Sequence, residues 1–510
     1  AANTTGTLNT AVGYRALDSN TTGSQNVAIG LNALNNNTTA SNNTAVGYQS
    51  LNGNTAANNT AVGYNSLVSN TSGAQNVAVG AFTLDQNTTA DYNTAIGYNS
   101  MGDNTTGTQN TAVGHRSLKS NSTANNNTAV GYHALEENTT GTDNTAVGSN
   151  ALQAATAASN NTAIGDVSLG SNTSGADNTA VGASCLSANT SGNFNTAIGC
   201  RSLNNNTTGT GLCAVGEDAL LNNTTGTQNN AMGQSALRAH TTGNYNVAIG
   251  ANSLATNTSA SNNTAVGHST LNANTSGTNN VAVGYFALDS NTTGVQNVAV
   301  GSTALQLNTT GSENTGIGQE ALDHVTTGSM NIGIGEKGGY TITSGSTNIA
   351  IGVQAARNLT TGSNNVFVGV DAIPTTNSVS NQVVLGNSST TTLRCQTQTI
   401  SSLSDERDKT DIVDSIYGLD VINSIKARQF KWSIRKDPDA IYPDSANNGT
   451  VELGFVAQEL NTALGDKNDI IKVVDNTNPD KLDASYGRLI PILVKAVQEL
   501  STKVTALEAA

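Results

Sequence analysis

Proline is missing from the first 373 of the 510 residues, charged residues make up only 11% of the chain and aromatic residues 4%. Each shortage excludes something. Length alone would suggest three or four globular domains, but a composition this poor in charge and aromatic rings argues against that count. No Lys/Arg cluster occurs that could neutralise a phosphate backbone, and the net charge is −14, so nucleic acid is not an expected partner. No apolar run approaches the ~18 residues of a membrane span, and no basic and apolar leader precedes the repeats described below. The four cysteines (Cys185, Cys200, Cys213 and Cys395) match neither a zinc spacing nor a disulfide framework, and small buried or half-buried thiols are expected. The five histidines (His115, His133, His240, His268 and His324) are scattered, so neither a metal nor a cofactor is expected.

What is abundant divides the chain in two. Up to Leu403 there are 8 Lys or Arg and 17 Asp or Glu, in a background of Asn, Thr, Ser, Gly and Ala; the remaining 107 residues hold 13 and 18. The long part could pass for disordered on composition, but it is periodic. Glycines recur from Gly13 to Gly386 in 22 intervals, 21 of seventeen residues and one of sixteen. A typical unit reads N-T-A-V-G-Y-x-A-L-x-x-N-T-T-G-x-x. Val or Ile precedes the marker glycine except at Met232 and Leu385, and Leu follows it by four in the first nineteen units except at Met101.

Segments such as Asn26-Val27-Ala28-Ile29-Gly30 suit short strands, with Val27 and Ile29 on one face and Ala28 on the other. Asn-Thr-Thr-Gly suits a turn, in which Gly supplies positive φ. One unit cannot bury its own anchors, so stacked units are expected to place Ile29 over Val46 and Leu17 over Leu34. The predicted fold is mostly β: a parallel β-solenoid or β-roll over residues 1–386, a rod on the order of 100 Å at roughly 4.8 Å per strand. The larger strand residues, Val147 among them, are expected to face inward, whereas Ser149 and the small Ala11, Ala28 and Ala45 face outward and permit close approach of another chain. A homotrimer is the expected assembly. The chain opens in mid-repeat, so a further upstream region is expected.

The N-[TV]-A-[VI]-G pattern between about Asn9 and Gly386 is similar to the S-V-A-I-G repeats in the heads of trimeric autotransporter adhesins, a resemblance that implies a parallel β-roll. Rows of Thr and Asn raise the idea of ice binding, but any solenoid needs polar rows for solubility. Asn-Thr-Thr triplets match the N-glycosylation pattern and are read as plain turns. The Asp-bearing pattern of calcium-binding nonapeptide repeats is missing.

Residues 387–403 are rich in Ser and Thr and read as a connector. From Ser404 onward the chain becomes charged and mixed, with the lone Trp432 and four of the five prolines. Helical spacing predicts helices over 414–425 and 453–464, and alternation predicts a strand over 427–434. A closing helix over 486–508 carries Ile490, Leu493, Val497, Leu500, Val504 and Leu507, spaced 3, 4, 3, 4, 3 as in a coiled-coil seam. This α+β part contains no His and no Cys, so covalent catalysis within it would rely on Ser or Thr activated by Lys or a carboxylate.

Ser404-Asp405-x-Arg407-x-Lys409, followed by Asp411-Ile412, resembles the opening of the S74 peptidase family, the intramolecular chaperone domains of phage endosialidases, tail spikes and tail fibres. Phe430-Lys431-Trp432, Gly454-Phe455-Val456-Ala457-Gln458-Glu459-Leu460, Tyr486-Gly487-Arg488-Leu489 and Ala496-Val497-Gln498-Glu499-Leu500 follow in the family's order. The resemblance implies that the domain guides trimer folding of the shaft and then cuts itself off between Leu403 and Ser404. It further implies Ser404 as nucleophile and Lys409 as its base, with Arg407 and Asp405 as supporting groups. Asp408 stands where an apolar residue is expected, and a carboxylate there favours the protonated lysine. The expected function is that of a homotrimeric fibre on a virion or extracellular surface, such as a phage tail or capsid appendage that attaches to a host receptor or glycan. A cellular surface adhesin, or a solenoid whose repeats bind ice or glycan, is the alternative.

Overall fold

The computed structural model describes residues 3–390, 392–393, 409–431, 451–476 and 482–509. Its first part is a stack of 23 three-residue strands, β1 (Thr10–Val12) to β23 (Val383–Leu385), each pairing in parallel with the next. Register follows the repeat: Ile29 lies beside Val46 and Ala28 beside Ala45. The predicted parallel solenoid is therefore the fold of the shaft, with one short strand per turn.

The leucines do form the interior. Leu34, Leu51, Leu67 and their counterparts are fully buried and belong to one continuous core. The phase of the strands is the reverse of the expected one. Ala28 is 0% exposed, whereas Ile29 is 39% exposed, and Ala146 is buried beside a half-buried Val147. Of the alanines expected outside, Ala28 and Ala45 point into the core; Ala11 is exposed only because it lies in the first strand. The reason is room. A turn of seventeen residues closes around one Leu per layer, and the space left beside it accommodates a methyl group, not a second branched chain.

The backbone reaches this tight path through left-handed residues. In one turn Asn32, Leu34 and Asn42 have φ of 56°, 52° and 62°, a region that non-glycine residues seldom visit. Each is held by its N–H to another layer: Asn32 to Tyr14 O, Leu34 to Ser50 O and Asn42 to Ser24 O, all at 3.0 Å. The marker glycine is not replaceable. At Gly148 φ is +140° and a Cβ would lie 2.4 Å from the carbonyl oxygen of Gly165. The turn glycines, by contrast, do not supply the positive φ expected of them; Gln25, just before the next Asn, does.

Asparagine is the second interior residue, which corrects its reading as a solubilising surface. Asn26 is buried; its Nδ2 donates to Ala40 O at 2.9 Å, and its Oδ1 accepts the N–H of Asn43 at 3.0 Å. The turn asparagine Asn37 is buried as well, donating to Ala40 O at 3.0 Å and to Asn20 Oδ1 at 3.1 Å. Two polar columns thus run through the stack, one from Asn9 to Asn365 with a break at Leu212 and one from Asn3 to Asn308 with breaks at Ala155 and His240, and satisfy backbone groups that a short strand leaves unpaired. The amides of the Asn-Thr-Thr triplets are engaged in these columns. The sixteen-residue unit loses its residue in this turn, where Asn54 Nδ2 bonds Ala56 O two positions on, and strand register is kept at Thr44 and Thr60.

Variation inside the stack is compensated. The turn column changes from Asn to Val325, Ile342 and Leu359, all buried. In the same turn as Ile342 the core leucine is replaced by Gly339, and Ile342 Cδ1 lies 3.2 Å from where a Cβ on Gly339 would sit. Histidine replaces the turn asparagine once, at His240, which is buried and whose Nε2 is 2.8 Å from Gly243 O. Stacking also brings together residues that look scattered in sequence: His115 and His133 face each other at 5.4 Å, and His133 Nδ1 lies 2.9 Å from Glu136.

The second part contains α1 (Leu419–Ser424), β24 (Arg428–Phe430), β25 (Glu452–Gly454), α2 (Ala457–Leu464), α3 (Asn468–Ile471), β26 (Val474–Asp475), β27 (Asp483–Ala484) and α4 (Ile490–Glu508). The helix expected over 414–425 shrinks to six residues. Residues 409–417 have no regular structure, and Ile412, Val413 and Ile416 stay exposed. The helix expected over 453–464 gives its start to β25. Of the strand expected over 427–434, residues 432–434 lie outside the described residues, as does Trp432. The closing helix forms as expected, entered through a single tight turn at Tyr486–Leu489 and with Pro491 in its first turn, where a missing N–H costs nothing.

Replacing Asn110 by Ala would orphan the buried N–H of Asn127 and leave the Ala124 carbonyl with Asn121 Nδ2 as its remaining side-chain donor, at about 1–3 kcal/mol for the unsatisfied group. Because the stack is quasi-one-dimensional, the loss should appear as faster native-state hydrogen exchange in adjacent turns, whereas the exposed Thr123→Ala should change little. Equal exchange in both variants would refute the structural role of the column.

Burial lowers the His240 pKa. The unfolded chain therefore binds a proton that the folded one resists, so this site's stabilisation is complete above the unfolded value of about 6.5 and is lost as pH falls below it. Between pH 7.5 and pH 5 the wild type should lose more thermal stability than His240→Asn, which restores the residue found at Asn223 and Asn257.

Candidate functional site

The residues expected to carry chemistry sit at the start of the second part. Leu403, Ser404, Asp405, Arg407 and Asp408 lie outside the described residues. Lys409 is described and exposed, and a left-handed Asp411 (φ 55°) follows it. From Lys409 to Tyr417 the chain is not helical.

The sequence blocks that carry the family resemblance lie far apart in the chain, and the fold brings three of them together around Gly454, beside Phe430 and Tyr486. Tyr486 of the third block donates its hydroxyl to Phe455 O at 3.0 Å and accepts the Phe455 N–H at 3.2 Å, with the two rings edge to face at 5.3 Å. A single phenol thus satisfies both backbone groups of the residue after β25. Glu459, in the same block as Phe455, forms a two-pronged pair with Arg428, Nε to Oε2 at 2.7 Å and Nη2 to Oε1 at 3.0 Å, which ties α2 to the strand leading into Phe430-Lys431. The pair draws the Glu459 pKa down through its hydrogen bond to Arg428. Being exposed, it orients more than it stabilises.

Glu499, from the last block, reaches α1. Its Oε2 accepts the Leu419 N–H at 2.9 Å, so a carboxylate borrowed from α4 caps the first turn of α1. A Cβ on Gly418 would meet that carboxylate at 2.6 Å and push Glu499 off its cap. This cap also shows why the predicted helix starts five residues late: its first N–H groups find their acceptor only at Leu419. Asn468 closes a further loop, giving Nδ2 to Val474 O at 2.8 Å and taking the Val474 N–H at 3.0 Å. Periodicity gave no sign of Glu499, Tyr486 or Asn468 as braces. Only the ordered blocks marked the first two.

These braces enclose a small core of Val421, Leu460, Leu464, Ile471, Val473, Val474, Leu489 and Ile492. α4 contributes Ile492 and Ala496 to this side and turns its other face away. Ile490, Leu493, Val497, Leu500, Val504 and Leu507, the residues of the predicted seam, are all exposed. The seam is therefore not the helix's packing face on its own domain. Among the described residues no helix is long and apolar enough to cross a membrane, and no group of His, Cys, Asp and Glu could hold a metal ion.

Residues 404–468 match the family model of the Peptidase S74 family, described as the chaperone of endosialidase. Over those residues the carboxy-terminal unit is similar to this family. The match begins at Ser404 and ends in α3, so the tight turn at Tyr486 and α4 lie beyond it. No curated protein and no solved structure matched the chain. The S74 unit and the solenoid preceding it together fit a fibre shaft with an intramolecular chaperone.

Tyr486→Phe removes the hydroxyl that serves both backbone groups of Phe455. The S74 unit should lose about 1–2 kcal/mol and expose Phe455, read as a lower denaturant midpoint of Tyr and Trp fluorescence. An unchanged midpoint would show that solvent replaces the hydroxyl without cost.

Proposed function

We propose that the chain is a homotrimeric fibre of a virion, a phage tail or capsid appendage that attaches to a host surface, and that its S74 unit directs trimer assembly and then cleaves before Ser404. The observation that carries this reading is the S74 match placed directly after a solenoid and beside an unpartnered apolar seam. A seam of six exposed apolar residues on a nineteen-residue helix needs other helices to cover it. Isolated two-stranded zippers favour the β-branched residues found here at Ile490, Val497 and Val504 with Leu at Leu493, Leu500 and Leu507. The family, not the seam, supports three chains rather than two.

The cleavage chemistry follows from the residue types. The Ser404 hydroxyl adds to the Leu403 carbonyl carbon while its proton passes to the Lys409 amine. The peptide C–N bond then breaks, the leaving nitrogen takes up a proton, and water hydrolyses the resulting ester to leave a Leu403 carboxylate. Lysine can act as base only as the neutral amine. Lys409 is exposed in the single chain, so covering by neighbouring protomers, with Arg407 as a nearby cation, supplies the desolvation that favours this form. Cleavage is thereby coupled to assembly, and an unassembled chain should be inert.

Ser404→Ala and Lys409→Ala should each give uncut chains that still assemble, whereas the wild type should release a fragment of 107 residues beginning at Ser404. Mass spectrometry and light scattering read the two outcomes separately. An intact wild-type trimer would refute the cleavage, with Asp408→Leu the first variant to restore it. A wild type that never exceeds a monomer would refute the assembly role as well.

A further inference from the structure

One face of the shaft is built unlike the others. Each strand turns its first and third residues outward, and in all 23 strands these positions hold only Thr, Val, Ile, Cys, Asn, Met or Leu; none is charged. The third position is Val or Ile in 21 strands, the others being Met232 and Leu385. Fractional exposure reaches 39% at Ile29, 41% at Ile164 and 38% at Ile351, and 57% at Val12 and 52% at Leu385 near the ends. This makes one uncharged, apolar ridge along the whole stack, a continuous exposed patch of the kind that marks an interaction surface. An open sheet face this long and free of Lys or Glu is also an aggregation hazard unless something covers it.

We propose that this outer Val/Ile face is where copies of the chain meet, each shaft laying its ridge against the same ridge of its partners, in register, around a shared axis. The proposal rests on the homotrimer reading above and adds where the shafts touch. Three features of the face select this occupant. It runs the full length of the stack with the chain's own repeat, so a partner that covers it must be as long and have the same spacing. It carries no charge, so nothing on it selects a charged partner, and its Thr hydroxyls repeat with the same spacing as its apolar row. At the other end of the molecule, the α4 seam is another uncharged apolar ridge in need of copies of itself. Small residues are not what allows close approach, as outward alanines would have done; the chains instead interleave branched side chains across the sheet face.

The protein carries its own reporter. Cys213 occupies the first, outward position of β13, paired with Thr196, and is half-buried in the single chain. Cys185→Ser restores the serine that stands at the equivalent Ser50, Ser66 and Ser117, and Cys200→Ser matches Ser149; Cys395→Ser completes a chain whose lone cysteine is Cys213. In the same background, Thr60→Cys and Thr315→Cys place thiols on other levels of the face, and Thr140→Cys places one in an exposed turn. Each must remain native Cys-free otherwise, so the Thr variants also carry Cys213→Thr, the residue of most strands. The full chains are oxidised with copper phenanthroline and, separately, treated with a bulky maleimide. Outward positions should cross-link at least tenfold faster than Thr140→Cys and resist the maleimide in the assembled protein. Co-expressed Thr60→Cys and Thr315→Cys chains should give only links between like positions. If assembled chains link as fast through Thr140→Cys, label freely at Cys213, or form mixed links, the interface is overturned while the trimer reading stands. If the chains are monomeric by light scattering, both fail.

Discussion

The bore of a seventeen-residue turn admits one large side chain, and most of the shaft follows from that limit. Leu takes the place in most turns, Ala sits beside it on the strand, and the branched first and third strand residues are pushed to the outside; Phe367 enters the inward strand position only near the end of the stack, where Ala356 occupies the leucine position. Such a thin core buries little per residue. Its strength comes from continuity, because every leucine touches those above and below and no layer is complete without both. The same narrowness explains the local exchanges: where the core leucine gives way to Gly339, an isoleucine enters from the turn column instead of the void being left open.

A narrow bore also leaves the backbone little help from within its own turn. Three-residue strands pair with the layers on either side, and the left-handed residues send their N–H groups in both directions along the stack. The rest of the satisfaction falls to the two asparagine columns. Asparagine suits this task because a single short side chain both donates and accepts, so one residue can close its own turn and pass a bond to the next. Leu would fill the space but leave the carbonyls unpaired, and Asp would lack the donor. Nothing here depends on length beyond a few turns, which is why deleting one residue in the turn after Asn54 leaves the register of the strands intact.

Much of the architecture was legible from spacing alone: the period, the parallel stack, the register of Ile29 on Val46, the leucine column and the closing helix. The phase of the strand was not. Alternation of period two says that Val27 and Ile29 share a face, but it is blind to which face is inside, and hydrophobicity favours the wrong answer when the available volume is that of a methyl group. Asparagine misled for a related reason. A residue repeated on every turn is as consistent with a wetted row as with a buried hydrogen-bond ladder, and only the positions of the neighbouring carbonyls separate them. In the S74 unit the ordered blocks located the parts that meet, yet the cap that Glu499 places on α1 is a contact across 80 residues, invisible to any local pattern. Of the candidate catalytic residues only Lys409 lies among the described ones, so the sequence remains the stronger witness there.

Repetition brings a problem of its own. Adjacent layers within one chain are fixed by covalent connection, but two separate shafts with nearly identical outer rows could pair at many offsets, each slip of seventeen residues giving up one layer of contact out of 23. The positions that break the pattern, Cys213, Asn230, Met232 and Leu385, are too few and too mild to penalise every slip. Parallel stacks of this kind are also slow to find their pairing, since distant segments must meet before any contact rewards them. A non-repetitive unit at one end removes the degeneracy. If the S74 units of neighbouring chains associate as proposed, the last layers of the shafts would be brought level, the effective concentration of the correct offset would rise, and stacking would proceed from that end one turn at a time. Once the shafts are zipped, slipping would require breaking every layer at once. The clamp then contributes nothing further to register, which is the physical condition under which a fibre can discard its chaperone without losing its form.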